Sequence, residues 1–175
     1  MACWDAELLA EQTPVEIVPR FSEAVWHLVG GDVGPFEAGV KTRVPLWLAV
    51  YLKERHRCQV LPPAWLRADV LERWLRDEKE DALVGRVEPA FKEVARLLLT
   101  KAADDVADSA NLKVLLQDLW DVRAAKFRTS VVDFVRSGRT HAKVTNFTRL
   151  EISSTRPLLM EALEQGRSLQ SARRL

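Results

Sequence analysis

One long run of residues, 109–137, constrains the fold more than any other segment, because it lacks Gly and Pro and carries an apolar stripe at helical spacing. At 100° per residue, seven apolar side chains fall within one arc of about 120°. They are Leu112, Leu116, Leu119, Trp120, Phe127, Val131 and Phe134. The stripe covers some 23 residues, or about 35 Å of helix. A chain of 175 residues need not bury such a stripe by itself, so we expect part of it to contact partner subunits.

Arg123 falls inside the same arc. A buried guanidinium needs a carboxylate partner and hydrogen bonds, because an unpaired buried charge costs several kcal/mol. Two arrangements are open at this point. Arg123 is paired with a carboxylate, within the chain or across a subunit boundary, or it lies over the edge of the core with its head group in water.

Gly and Pro are unevenly distributed along the chain, which has seven Gly and eight Pro. Most of them lie before residue 64, and Gly and Pro mark turns between short elements. The sequence therefore predicts an α+β fold, mostly α, with a small β-rich module over residues 1–62 and a larger helical domain over residues 63–175.

The pattern of apolar residues and breakers predicts the elements of both parts. In the first part we expect helices at 4–11 and 46–57, strands at 15–18, 24–29 and 59–61, and a glycine turn at 30–35. The aromatic residues of the second helix, Trp47 and Tyr51, are expected to face the core. In the second part we expect helices at 64–80, 89–107, 109–137 and 157–169. The charge run 77–81 predicts a solvated linker before a loop around Gly85.

Composition excludes several classes of protein. Lys plus Arg is 26 and Asp plus Glu is 25, for a net charge of +1, which argues against a charged disordered tail. The longest stretch without charge or Gly, 44–52, is far shorter than the roughly 20 apolar residues of a membrane span. The N-terminus lacks the basic start of a signal peptide. Two cysteines make no disulfide framework, so we expect a reducing compartment.

No motif for catalysis or for a cofactor is evident. The His and Cys residues lack the paired spacing of a zinc site, and the segment 30–34 lacks the Gly-Lys-Ser/Thr ending of a phosphate loop. No serine lies in a nucleophile elbow. We therefore expect no enzyme, no cofactor and no metal. An unrecognised catalytic site would bring His27, His56 and His141 together in one cleft.

A direct DNA-binding role is the main alternative to a structural one. Residues 123–175 contain 11 basic and four acidic residues, and such a balance can face phosphate backbone. The candidate contacts are Arg136, Arg139 and Lys143. A second basic cluster, at residues 53–57, lies beside Trp47 and Tyr51, a combination that can also hold single-stranded nucleic acid.

Several blocks of the sequence resemble one known family. They are Leu-Val-Gly-Gly-Asp-Val-Gly-Pro-Phe at 28–36, Val-Pro-Leu-Trp-Leu-Ala at 44–49, Leu-Pro-Pro-Ala-Trp at 61–65, Asp-Leu-Trp-Asp-Val-Arg at 118–123, Lys126, Arg128, 134–136, 141–143, Asn146, Thr148 and 151–152. In this order they resemble the second partner-of-Sld-five subunits of the eukaryotic GINS complex.

The resemblance implies a non-catalytic subunit in a nuclear heterotetramer with three paralogous subunits. It also implies that this complex joins the MCM motor ring and a cell-division-cycle partner in the active replicative helicase, with no membrane and at most indirect or weak contact with DNA. Intersubunit packing in the family lies on the long helices. The implied interface residues are Leu116, Leu119, Trp120, Arg123, Phe127, Val131 and Phe134.

Overall fold

A small sheet with two helices begins the chain, and a helical bundle follows. The computed structural model describes residues 3–137 and 145–172. The first part contains α1 (Cys3–Glu11), β1 (Pro14–Pro19), β2 (Trp26–Leu28), β3 (Gly31–Val33), β4 (Thr42–Pro45), α2 (Leu46–Glu54) and β5 (Cys58–Leu61). The second contains α3 (Ala68–Glu80), α4 (Phe91–Lys101), a 3-10 turn (Ala103–Asp105), α5 (Ser109–Ser137) and α6 (Arg149–Ala172). The predicted fold class, α+β and mostly α, is confirmed.

The central strand of the main sheet is β1, which pairs antiparallel with β4 on one side and β5 on the other. Its side chains alternate, so that Val15 and Ile17 are buried while Glu16 is partly exposed. Successive side chains of a strand point to opposite faces, and the buried face here is covered by α2. The apolar alternation around Val15 is therefore what fixes the sheet against its helix.

The glycine segment after β2 forms a hairpin, which corrects the prediction of a turn over residues 30–35. Gly31–Val33 is a strand, and Val29 and Gly30 alone connect it to β2. Strand β4 was also not predicted from the sequence. Both strands are only three or four residues long and include Gly or Pro, so they lack the run of β-branched residues that makes a strand recognisable.

Helix α2 has a different buried face from the one that its sequence predicted. Leu46, Ala49 and Leu52 are fully buried, whereas Trp47 and Tyr51 are 36% and 44% exposed. The expectation that these two aromatics face the core is therefore wrong. They lie four residues apart on the outer side of the helix, where the guanidinium of Arg55 covers the Tyr51 ring at 3.6 Å.

Asp105 connects the small module to the helical bundle. Its carboxylate lies in the turn after α4, accepts a hydrogen bond from the backbone N–H of Val60 at 2.8 Å and pairs with Lys53 at 2.8 Å. Both side chains of that ion pair are largely buried. A second bridge joins Lys101 to Glu54 at 2.7 Å. Since one apolar core also runs through both parts, the module is fixed to the bundle.

Helix α6 begins earlier than predicted. It starts at Arg149, so Pro157, which was expected to initiate it, lies inside the helix. The start is set by Thr148, whose hydroxyl accepts from the N–H of Glu151 while the Glu151 carboxylate accepts from the N–H of Thr148. This reciprocal arrangement is a capping box, and it outweighs the preference of Pro for a first turn.

Candidate functional site

Helix α5 buries most of its apolar stripe against the chain's own helices. Five members are 0–7% exposed: Leu112, Leu116, Leu119, Phe127 and Val131. They pack in a bundle in which α3, α4 and α6 all contact α5. The chain therefore buries these five side chains of the stripe by itself.

Trp120 and Phe134 are the members of the stripe that remain partly exposed. The ammonium of Lys92, on α4, lies 3.3 Å from the centre of the Trp120 ring. The Lys92 side chain is partly buried in this position, and burial lowers the pKa of Lys92. The interface role of the stripe stays a prediction, and it now depends chiefly on these two aromatics, since the other side chains offer a partner little surface.

Arg123 is fully buried and is satisfied within the chain. Its Nε donates to Oε1 of Glu151 at 2.6 Å, and its Nη2 donates to Oε2 of the same residue at 3.0 Å. Its Nη1 donates to Oε2 of Glu78 at 3.1 Å and to the carbonyl of Gly85 at 2.9 Å. The second N–H of Nη2 donates a hydrogen bond to the carbonyl oxygen of Asn146 at 2.8 Å. A guanidinium has five N–H donors, so none is left for an ion pair with another subunit.

The two carboxylates around Arg123 have further partners. Glu78 accepts from the ammonium of Lys126 at 3.0 Å and from the N–H of Gly85 at 3.0 Å. Glu151 accepts from the N–H of Thr148 at 2.6 Å. Arg123, Lys126, Glu78 and Glu151, which we call the Arg123 network, thus balance two positive charges with two negative ones. The network ties α3, α5 and α6 together.

The segment before the loop at Gly85 differs from its prediction. The charge run 77–81 was expected to be a solvated linker, but residues 77–80 belong to α3 and Glu78 is only 2% exposed. Spacing was the available signal, because Leu71, Leu75 and Glu78 lie at i, i+4 and i+7 on the buried face of the helix. For Glu151 the signal was the capping-box spacing from Thr148. Neither carboxylate was recognised as a partner of Arg123 from the sequence.

Glu93 on α4 is a second buried carboxylate, separate from these hydrogen bonds. It is 5% exposed, and its Oε2 has no hydrogen-bond partner among the described residues. Burial raises the pKa of Glu93, and the negative charge of Glu151 contributes in the same direction. A buried acceptor without a donor costs free energy, so Glu93 is a source of instability rather than a pairing site.

The residues proposed for nucleic-acid contact lie mostly outside the described ranges. Arg136 belongs to the last turn of α5, whereas Arg139 and Lys143 lie between residues 137 and 145 and are not described. Two of the basic residues in the last third, Arg123 and Lys126, are engaged inside the chain. In the basic cluster at 53–57, Lys53 pairs with Asp105. These pairings reduce the positive charge available to phosphate.

The described residues contain no constellation that resembles a catalytic or metal site. His27 lies in β2, where it bonds to Asp32 at 2.8 Å, and His56 follows α2. His141 lies outside the described residues. Among those described, no group of three or more metal-ligating side chains is present. No helix within the described part of the chain is long and apolar enough to cross a membrane.

Comparison with known families matches both parts of the chain. Residues 3–61 match the PSF2 N-terminal domain, and residues 65–169 match the GINS complex protein helical bundle domain. Five blocks that carried the resemblance in the sequence, at Arg123, Lys126, Asn146, Thr148 and Glu151, come together around the Arg123 network.

The chain is also similar over most of its length to curated proteins. The human DNA replication complex GINS protein PSF2 is 41% identical over 161 residues, covering 91% of this chain and 86% of the human protein. The Xenopus laevis protein of the same name is 36% identical over 170 residues, covering 96% and 91% of the two chains. The Schizosaccharomyces pombe relative is 29% identical over 165 residues, covering 94% and 88%. The chain therefore belongs to the PSF2 family of GINS complex proteins.

Proposed function

We propose that this chain is a non-catalytic structural subunit of a GINS complex acting in DNA replication. The observation that carries the proposal is the match of both of its parts, in order, to the PSF2 and GINS domain families and to relatives named as DNA replication complex proteins. Its mechanism is to hold partner proteins in register on rigid surfaces. The buried Arg123 network and the Asp105 bridge support that rigidity, because both join elements distant in sequence.

The finer arrangement follows the expectations of the family. Three paralogous subunits complete a heterotetramer, which joins the MCM motor ring and a cell-division-cycle partner to form the active replicative helicase in the nucleus. ATP hydrolysis then belongs to the motor ring. Trp120 and Phe134 contact a sister subunit, because they are the two partly exposed members of an otherwise buried apolar stripe.

Co-expression with the three paralogous subunits tests this proposal. We expect one particle with one copy of each subunit by native mass spectrometry, and we expect the tagged chain to co-purify with MCM subunits from dividing cells. Trp120→Ala and Phe134→Ala should weaken the assembly. Thr129→Ala, on an exposed position of the same helix, is the matched control. A well-behaved monomer that does not associate with the other three subunits would refute the proposal.

A further inference from the structure

The loop that joins α3 to α4 is held by side chains and not by its own backbone. Within the described ranges, residues 82–87 form no hydrogen bond between their backbone and another backbone group. Instead, the ammonium of Lys126 donates to the carbonyl oxygen of Leu83 at 2.9 Å, and Arg123 donates to that of Gly85 at 2.9 Å. Both donors lie on α5, so the loop takes its conformation from a helix that is distant in sequence.

Asn146 supplies the bond between these two contacts. Its Nδ2 donates to the carbonyl oxygen of Val84 at 2.9 Å, so three consecutive carbonyl groups of the loop each accept from a side chain. The carbonyl oxygen of Asn146 itself accepts from Nη2 of Arg123 at 2.8 Å. Arg123 therefore holds one carbonyl group of the loop and one of the segment that contains Asn146.

The backbone of Asn146 has a φ of 65°, in the left-handed region. Non-glycine residues are uncommon there, although Asn tolerates it better than most, and such a conformation persists where the surrounding contacts fix it. Phe147 follows and packs edge-to-face against Phe127 at 4.6 Å. Thr148 then caps α6. The segment 145–148 thus contacts the loop through one residue and begins α6 through another.

We propose that residues 82–87 and residues 145–148 open and close as one unit, with Asn146 as the direct link between them. Release of either segment removes a hydrogen bond from the other, because the amide of Asn146 and the carbonyl of Val84 are partners. Arg123 adds an indirect link, since it is bonded to both segments. Such coupling is reciprocal. A partner protein that contacts one segment would therefore also order the other.

Hydrogen exchange measured by mass spectrometry tests the coupling, on the full chain and with every variant in the same assembly and buffer. Asn146→Gly removes the amide and keeps the left-handed backbone, which Gly adopts readily. Loss of this hydrogen bond should speed exchange about fivefold in a peptide covering 82–87. It should also speed exchange in a peptide covering 148–153, where the N–H of Ile152 bonds to the carbonyl of Thr148. The matched control is His56→Gly, at another residue with positive φ, and it should change neither peptide.

Gly85→Ala tests the coupling from the side of the loop. An added Cβ would lie 3.0 Å from Oε2 of Glu78, so the loop or the carboxylate has to shift. We expect faster exchange in both peptides. In the N146G background, G85A should change the 148–153 peptide less than it does in wild type, because the direct link is already absent.

Three results would overturn the proposal. In the first, each variant speeds exchange only in the peptide of its own segment. In the second, G85A has the same effect on the 148–153 peptide with and without Asn146, so that Arg123 alone connects the segments. In the third, exchange rises equally throughout the chain, strand β1 included, which would show a loss of overall stability in place of local opening.

Discussion

Replacing Arg123 by Met should lower the free energy of unfolding by about 3 kcal/mol. Removing one partner of a buried ion pair costs about 3–5 kcal/mol, because the remaining charge stays buried without compensation. The lower end applies here, since both carboxylates keep other donors. Glu78 keeps the ammonium of Lys126 and Glu151 keeps the N–H of Thr148. For a domain of this size the change corresponds to a fall in melting temperature of about 6–12 °C.

The two carboxylates should respond differently to a second change. After loss of Arg123, Glu151 has no other ion-pair partner within the described ranges, whereas Glu78 still pairs with Lys126 at 3.0 Å. Glu151→Gln should therefore restore part of the stability of R123M, about 1 kcal/mol. Glu78→Gln in the same background should lower it further, because it leaves the ammonium of Lys126 unpaired.

Urea and thermal denaturation followed by circular dichroism measure these differences, with every variant in the same assembly and buffer. R123K is the matched control, because Lys keeps the charge but has three donors in place of five, and it should fall between wild type and R123M. The reasoning is refuted if R123M is as stable as wild type, or if the two double variants are equally stable.

Three further changes test other buried groups. Glu93→Gln should raise the free energy of unfolding at pH 7 by about 1 kcal/mol. Burial raises the pKa of Glu93 above its ordinary value of 4.5. The stability that the protonated carboxyl provides is therefore fully present below pH 4.5 and is lost as the pH rises through the raised pKa of the folded protein. Asp105→Ala should cost about 3 kcal/mol and speed amide hydrogen exchange at Val60, which loses its acceptor. Burial, helped by the charge of Asp105, raises the pKa of Cys58 to about 11. In a Cys3→Ser background, iodoacetamide at pH 8 should therefore label Cys58 only after unfolding.

Each of these expectations has an outcome that contradicts it. The E93Q variant should lose its advantage when the urea curves are repeated near pH 4, and a constant advantage across pH would show that ionisation is not the cause. Unchanged exchange at Val60 in D105A would mean that the bridge between module and bundle contributes little. Labelling of Cys58 in the native protein at the rate of a free thiol would show that the thiol is accessible.

The sequence predicted the elements whose signal is local. Helix α5 was predicted with the bounds that the structure has, because residues 109–137 combine helical spacing with an absence of breakers. The short strands β3 and β4 were missed, since strands of three and four residues that include Gly or Pro carry no pattern of their own. The early start of α6 was also missed, because Pro157 was given more weight than the Thr148–Glu151 spacing.

The surroundings of Arg123 could be predicted only in part. Its position in the apolar arc indicated a buried, paired charge, and the structure places that pair within the chain. Its partners could not be identified, because Glu78 and Glu151 lie 45 and 28 residues away in sequence. A single sequence gives no information on which distant carboxylate meets a given arginine, so this part depends on the tertiary packing of α3 and α6 against α5.

The double use of Glu151 makes the last helix conditional on the rest of the bundle. One carboxylate both completes the first turn of α6 and neutralises a cation on α5. Helix initiation is costly when a segment has only local contacts. The Glu151 carboxylate therefore fixes the first turn of α6 and the position of α6 against α5 together. Any substitution at Glu151 therefore has to satisfy a local and a distant requirement at once.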